Sequence, residues 1–510
     1  MIENYKAEQG LSKNIISNVI WNFLGQIWLV VLAFLTIPFI VHSLNVNLYG
    51  IYAFIGVIIG YFSFLELGLG TASVQYISEY LVHKDEDKIR KAFWSCLLIY
   101  IFLGLVGTGL IYFSAYILVK NFLKIPSELK AISVFSLKLG SVGFLTSRLI
   151  GAMSIVVRAL GRFDMLNRLE VTINTLQIII MVIILKLGFS LKEIIISSIV
   201  IQAIGIYIYW IITKNLLPFL SIVSWDTETL IKLFKFGGFV TISVFLSPIL
   251  TNIEKIFLTS LRSISDLTYY SIPYSLIYKL LLIPSAVSAV IFPLFSYFQG
   301  FNKKTINKEL HYRSTLYILL ILIFFISFFI VFGRPFLALW IGNDFAEKST
   351  VTLVILSVSA MVNAMSYPSI SLLYGAKKPK LVAIFNIIEV IIHIPLSYVF
   401  IYYFGGPGAA IAWFLRVSLD TILVNRASCF LLGERLLVWY KKIFCRGFPC
   451  LVLCSSLFYL LKSFDLYLFS PSNISGILAI FIFYVFLVWK WGLDSVARIK
   501  ILEFAKNIYR

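Results

Sequence analysis

Several ionisable side chains lie inside long apolar runs of the sequence. Arg148 and Lys279 lie near the centres of two such runs. A charged side chain at the middle of a bilayer costs about 2.5–3.5 kcal/mol on insertion scales, and such groups usually face an interior cavity. Guanidinium and ammonium groups are natural partners of oxyanions. The two residues therefore predict a cavity that binds an anionic group.

Two further pairs have a spacing of four residues, which places both members on one face of a helix. Arg416 and Asp420 form one pair, and Glu389 and His393 form the other. Arg416 is a third candidate for the cavity wall, although it and Asp420 could simply neutralise each other. Glu389, His393 and Asp420 are candidates for ion coupling, since His changes charge near neutral pH. The alternative for Glu389 and His393 is a hydrogen-bonded pair that packs two helices together.

Lys138 and Glu66 are the remaining charges of interest. Lys138 is a fourth and weaker candidate for the cavity, because a long side chain can also extend to the head groups. Glu66 stands beside Gly68 and Gly70, which favour a bend or a close helix approach. We interpret Glu66 as an inner-gate or lobe-anchoring residue, and the alternative is a carboxylate paired with a nearby cytoplasmic Lys or Arg.

The composition requires a membrane around these residues. The 510-residue chain is 60% hydrophobic and only 13% charged, whereas soluble domains are about half apolar and a quarter charged. Since a helical span needs about 20 mostly apolar residues, we predict an all-α integral membrane protein with fourteen spans. They are 15–41, 48–77, 92–118, 130–157, 165–186, 191–213, 234–258, 266–298, 315–340, 350–374, 381–403, 408–432, 445–462 and 473–493.

The basic residues give an orientation. Of the Lys and Arg residues outside the spans, 28 fall on the side of the N-terminus and nine on the other side. The positive-inside rule therefore predicts a multi-pass protein of the cell membrane with both termini in the cytoplasm. Because the net charge of +19 lies in short clusters between apolar runs rather than in a basic domain, we expect no nucleic-acid partner.

The sequence has no recognisable pattern of catalytic residues. The loops on the outer side are short, and no exposed acid pair or nucleophile triad is present. The five cysteines have no His or Cys partners at metal-binding spacing. We therefore predict no enzyme, no catalytic residue, no metal and no cofactor.

Three pairs of segments recur at nearly one offset. Tyr52 matches Tyr270 at 218 residues, Gly161 matches Gly375 at 214, and Gly188 matches Gly405 at 217. Six spans per repeat give two lobes of the same orientation, which suggests alternating access to a cavity between them. We predict an N-lobe at 1–230, a C-lobe at 231–440, and two extra helices with a cytoplasmic tail at 441–510. At the offset of 218, Glu66 corresponds to Pro284, so both lobes carry a helix-perturbing feature at one depth.

Five ordered motifs resemble one family. They are "NVIWNFLGQ" at Asn18, "LNVNLYGIYAF" at Leu44, "LELGLGTASVQYISEY" at Leu65, "ALGRFDMLNRLE" at Ala159 and "LYGAKKPKLV" at Leu373. Together they resemble the polysaccharide-biosynthesis flippases of the MOP exporter superfamily, over about the first 430 residues. One departure is Asn45, where the family usually has glycine, so the first outer turn is expected to differ.

The resemblance implies transport of undecaprenyl-pyrophosphate-linked oligosaccharide units, of O-antigen or capsule, from the cytoplasmic to the periplasmic leaflet of the bacterial inner membrane. Its implied partners are this lipid-linked substrate, membrane lipids and other membrane proteins of glycan assembly. In that setting Arg148, Lys279, Arg416 and Lys138 are expected to contact the head group. The main alternative is a cation-coupled multidrug exporter of the same superfamily.

Overall fold

The computed structural model describes the backbone of residues 2–66, 68–301, 303–464 and 471–492; side chains are described outside 2–21, 233–245, 247, 464, 471–474 and 491–492. This part of the chain is built from helices. They are α1 Ile2–Tyr61, α2 Leu69–Val82, α3 Glu86–Ile117, α4 Ser127–Ala159, α5 Phe163–Lys186, α6 Leu191–Leu216, α7 Thr227–Phe257, α8 Ile264–Leu280, α9 Leu282–Gly300, α10 Lys304–Trp340, α11 Asn343–Ala364, α12 Ser366–Gly375, α13 Pro379–Leu432, α14 Leu436–Phe464 and α15 Pro471–Leu487.

Two of these helices are long enough to cross a bilayer twice, and each contains a bend. Helix α1 has 60 residues and bends at Asn45, and α13 has 54 residues and bends at Gly405. At a rise of 1.5 Å per residue, each is roughly 80–90 Å long, against a hydrocarbon core of about 30 Å. Each bend therefore marks a loop between two successive crossings.

Three other crossings are each made from two helices. The second consists of the end of α1, a 3-10 turn at Phe62–Glu66, and α2. The eighth is interrupted at Leu281 between α8 and α9, and the tenth at Met365 between α11 and α12. Ten helical stretches among the described residues are long and apolar enough to span a membrane. With α1 and α13 counted twice, and with α7 and the shorter α15 included, the described helices make fourteen crossings, and the predicted fold class is confirmed.

The turn at Asn45 has side-chain hydrogen bonds that a glycine turn would lack. Asn45 has φ 60° and ψ 167°, and asparagine is among the residues best able to adopt positive φ. Its Oδ1 accepts hydrogen bonds from the backbone N–H groups of Asn47 (3.0 Å) and Leu48 (3.1 Å). The asparagine therefore makes the turn and also caps the helix that follows.

The structure refines the repeat at these turns. At an offset of 218 from Asn45, Ser263 caps the start of α8 by accepting a hydrogen bond from the N–H of Asp266 at 3.1 Å. Gly188 and Gly405 both have positive φ, at an offset of 217. In the turn before α13, however, positive φ occurs at Lys377. The structural equivalent of Gly161 is thus Lys377 rather than Gly375.

By internal packing the chain forms two compact units, Met1–Thr268 and Tyr269–Arg510. In the first, α3, α4 and α6 pack together; in the second, α10 packs against α11 and α14. The lobe boundaries near residues 230 and 440 stay a prediction, since packing units and sequence repeats are defined differently. The predicted cytoplasmic tail after residue 492 lies outside the described residues.

Candidate functional site

A cavity of about 570 Å³ lies inside the first unit, next to the break in the second crossing. Helices α2, α3 and α4, the first residue of α5 and the turn before α2 supply its walls. Its lining residues are mostly polar or small: Glu66, Gly70, Thr71, Val74, Gln75, Tyr100, Ser147, Arg148, Gly151, Ile155, Arg158 and Phe163. Two of the predicted site residues, Arg148 and Glu66, are therefore on the wall of one cavity.

These two residues form an ion pair. The Nη1 of Arg148 donates to Oε2 of Glu66 at 3.1 Å, and the hydroxyl of Tyr100 donates to Oε1 at 3.0 Å. The guanidinium also lies 5.4 Å from the centre of the Phe144 ring, within the range of a cation–π contact. Glu66 is thus paired with a base, but this base is the predicted anion-binding Arg148 inside a crossing rather than a cytoplasmic Lys or Arg.

The two glycines after Glu66 have separate structural roles. Gly68 has φ 66° and stands at the N-cap of α2, a conformation that glycine adopts without a steric cost. A Cβ atom at Gly70 would lie 2.7 Å from Oε1 of Glu66 and 2.9 Å from the Tyr100 hydroxyl. Gly68 therefore allows α2 to start, and Gly70 leaves room for the carboxylate.

Arg158 is a cavity residue that sequence reasoning missed, because it was counted with the cytoplasmic bases. It lies 3.5 Å from Glu170, and both side chains are nearly half exposed. Arg148, Gly151, Ile155 and Arg158 follow a spacing of three, four and three along α4, which is one helical face. That spacing was the signal in the sequence that could have placed Arg158 on the same wall as Arg148. The cavity has two guanidinium groups and one carboxylate on its wall.

The second unit contains a different charge cluster, on the two halves of α13. Arg416 donates from Nη1 to Oε2 of Glu389 at 3.0 Å, and their side chains are 13% and 2% exposed. Asp420 interacts with Arg416, Glu389 and the hydroxyl of Ser366. Arg416 thus neighbours Asp420, as the neutralisation interpretation held, but it forms an ion pair with Glu389, which neither interpretation named. Its role on a cavity wall stays a prediction.

His393 has a different neighbour from the one predicted. It is 1% exposed and lies next to Ser397 on the same helix, with oxygen–nitrogen distances of 3.3 and 3.4 Å. The ion pair of Glu389 is formed with Arg416 instead. The pairing of Glu389 with His393 along one helical face is therefore replaced by a pair between two successive crossings.

The last two predicted cations lie apart from these clusters. Lys279 is half-buried at the end of α8, two residues before the interruption at Leu281. The Nζ of Lys138 lies 4.7 Å from the centre of the Tyr112 ring, whose residue is 43% exposed. Lys138 is thus stabilised on an aromatic face.

Within the described residues, no group of three His, Cys, Asp or Glu side chains has the geometry to hold a metal ion.

The sequence model of a family described as "Polysaccharide biosynthesis protein" matches residues 15–299. The chain belongs to this family. A second model, described as "MatE", matches residues 240–399. A Shigella flexneri protein named "Putative O-antigen transporter" is 25% identical over 418 residues, which cover 81% of this chain and 97% of that protein.

Solved structures show the fold of this family member independently. The lipid II flippase MurJ, in an inward closed conformation, superposes with a TM-score of 0.68 at 14% identity, covering 92% of this chain and 98% of MurJ. An inward-facing multidrug resistance transporter of the MATE family, from the MOP superfamily, gives 0.63 at 14% identity, with 83% and 96% coverage. The fold is therefore the one that these two structures share, and the family match confirms the resemblance seen in the sequence motifs.

Proposed function

We propose that this protein is a flippase that moves an undecaprenyl-pyrophosphate-linked oligosaccharide from the cytoplasmic to the periplasmic leaflet of the bacterial inner membrane by alternating access. Membership of the polysaccharide biosynthesis family and the similarity to a protein named as an O-antigen transporter support the substrate class. The observation that carries the proposal is the cavity with Arg148 and Arg158 on its wall.

The obstacle to moving such a lipid between leaflets is its polar head group. Sugar hydroxyls and a pyrophosphate lose their hydrogen bonds to water in about 30 Å of hydrocarbon. A polar cavity inside the helical bundle replaces those hydrogen bonds while the polyprenyl chain remains in the lipid. Arg148 and Arg158 supply the charge-assisted donors that a pyrophosphate requires, and Gln75, Tyr100 and Ser147 offer groups that suit sugar hydroxyls.

Glu66 can respond to the substrate by releasing Arg148. In the described state its carboxylate occupies Arg148, so an incoming pyrophosphate exchanges one anionic partner of the guanidinium for another. Release of Glu66 would change the contacts of the broken crossing, because Glu66 ends the 3-10 turn before α2. This is the gate role that we propose for Glu66.

The remaining predicted residues have proposed roles in the second unit. Glu389 and Asp420 are two carboxylates beside the single guanidinium of Arg416, and we assign them with His393 to ion coupling. Such a group carries one negative charge in excess, which a proton or another cation could balance. Lys279 and Arg416 are proposed head-group contacts in the C-lobe, and Lys138 is a weaker one.

The test is genetic and chemical. A strain lacking the gene should lose its surface glycan and accumulate lipid-linked units, and the wild-type gene should restore export. Arg148→Ala together with Arg158→Ala should fail to restore it, while a matched pair of Lys186→Gln and Lys192→Gln, on the opposite predicted side, should restore it fully. Full export by the arginine variant would remove the cavity from the mechanism.

A second candidate function is a cation-coupled multidrug exporter. The match of the MatE model to residues 240–399, which include Glu389, favours it. This candidate predicts that cells expressing the protein extrude cationic dyes in an Asp420-dependent manner while the surface glycan is unaffected by deletion. Glycan loss without dye efflux would support the flippase.

A further inference from the structure

A second cavity, of about 680 Å³, lies in the second unit between the beginning of α10 and the beginning of α14. It shares no residue with the cavity around Arg148. Its wall is formed by Thr305, Lys308, Glu309, Tyr312, Glu434, Val438, Lys441, Lys442, Cys445 and Arg446. Helix α14 is the first helix after the predicted repeat, so this cavity is a feature of the added part of the chain.

The wall of this cavity is electropositive. Four bases (Lys308, Lys441, Lys442 and Arg446) face two carboxylates. Both carboxylates already have partners, because Glu309 pairs with Arg313 and Glu434 pairs with Lys442 at 2.9 Å. With four bases against two carboxylates, the wall has two positive charges in excess, and Lys308, Lys441 and Arg446 together suit a phosphate group.

By helical spacing, a row of exposed apolar side chains on α14 lies on the face next to the one that lines the cavity. Leu437, Phe444 and Phe448 are 82%, 50% and 59% exposed. In a membrane-spanning helix, such side chains contact acyl chains. A basic cavity beside a lipid-facing apolar surface suits a molecule with an anionic head group and a hydrocarbon tail. A small soluble anion would contact the basic cavity but not the apolar surface.

We propose that this cavity binds the head group of an anionic phospholipid from the leaflet on the side of the N-terminus, the predicted cytoplasmic side. The phosphate lies among Lys308, Lys441 and Arg446, and the acyl chains lie along Phe444 and Phe448. This inference is independent of the proposed substrate, since bilayer lipid rather than the lipid-linked sugar occupies the site.

A native cysteine allows occupancy of this site to be measured by chemical labelling. Cys445 is exposed on the wall of the cavity, and the other four cysteines are buried. In full-length protein in nanodiscs, an uncharged maleimide should therefore label Cys445 selectively, and Cys445→Ser should abolish the labelling. Bound lipid should slow this reaction.

The experiment compares nanodiscs of phosphatidylcholine with nanodiscs that contain increasing phosphatidylglycerol. We expect phosphatidylglycerol to slow labelling of Cys445 in the wild type. In Lys441→Gln with Arg446→Gln, the phosphatidylglycerol fraction that gives half-protection should rise about 25-fold, at about 5-fold per basic side chain near a membrane surface. Elution as a single species in size-exclusion chromatography shows that the variant is folded; if it is not, Lys441→Gln alone is used.

Lys303→Gln with Lys304→Gln is the matched control. It removes the same charge from the start of α10, at exposed positions outside the cavity, and it should retain wild-type protection. Equal weakening in both double variants would show a diffuse surface potential and overturn the site. Protection by inorganic phosphate in pure phosphatidylcholine would overturn the lipid assignment, as would the absence of protection in the wild type.

Discussion

The Glu66–Arg148 pair and the Glu389–Arg416 pair consist of the same two groups at almost the same distance, 3.1 and 3.0 Å, but they differ in exposure. Glu66 is 38% exposed and lines a cavity, whereas Glu389 is 2% exposed. A guanidinium beside a cavity can exchange its carboxylate for an incoming anion. A buried one can do so only if a proton or another cation neutralises the carboxylate that it leaves, so a head-group contact of Arg416 would be coupled to that ion. Exposure rather than residue type separates the two proposed roles.

The largest expected effect comes from breaking the buried pair. Arg416→Ala leaves Glu389 and Asp420 without their cation, and removal of one partner of a buried pair costs about 3–5 kcal/mol. We expect little folded protein in the membrane, measured by fluorescence-detected size-exclusion chromatography and thermal unfolding in detergent. The double variant Glu389→Gln with Arg416→Gln should recover much of the folded protein, and equal losses in both variants would contradict this account.

The second prediction concerns the pair on the cavity. Arg148→Ala should leave a folded protein, because Glu66 is partly exposed and can be hydrated. The proposed transport of lipid-linked oligosaccharide should fall by about tenfold or more, as expected for a lost charge-assisted contact of about 1.5–3 kcal/mol. The readout is glycan export in cells, with protein level measured beside it. If Arg148→Ala unfolds the protein as Arg416→Ala does, the contrast between the clusters is wrong.

The third prediction tests the space that Glu66 requires. Gly70→Ala would place a Cβ atom 2.7 Å from Oε1 of Glu66, so the carboxylate must move away from Arg148 or Tyr100. Both close atoms are the ends of flexible side chains and can shift, so we expect a loss of stability at the lower end of the roughly 1–3 kcal/mol that overpacking costs. It should appear as a lower unfolding temperature with impaired export.

Gly109→Ala is the control for this substitution. Gly109 lies in α3 with no atom within 4 Å of its added Cβ, so we expect the unfolding temperature and export to be unchanged or slightly improved. Equal behaviour of the two variants would show that the fit around Glu66 is unimportant.

The smallest expected effect comes from Tyr100→Phe, which removes only the hydroxyl that donates to Glu66 at 3.0 Å. A hydrogen bond to a charged group contributes about 1.5–3 kcal/mol when buried, and the partial exposure of Glu66 brings the expected loss of stability to about 1 kcal/mol. The unfolding temperature measures this. A change as large as that of Arg416→Ala would place Glu66 in an environment as dry as that of Glu389.

Much of the fold was predictable because hydropathy and helix interruption are local properties. Runs of apolar residues gave the crossings, and the carboxylate–glycine segment after Phe64 and the proline at Pro284 indicated where the second and eighth crossings are interrupted. The repeat offset was less exact, because a "YG" dipeptide at Tyr374 resembled the turn at Gly161, while the backbone places the equivalent turn at Lys377.

The sequence by itself determined that this protein lies in a membrane, where two of its crossings are interrupted, and which charges are placed inside its crossings. Only the tertiary structure decided which charges meet. Glu66 and Arg148 are 82 residues apart, and Glu389 pairs with Arg416, 27 residues away, rather than with His393 on its own helical face. The reason is physical: the cost of placing a charge in the membrane depends on its own depth, whereas its partner depends on how separate helices pack against each other.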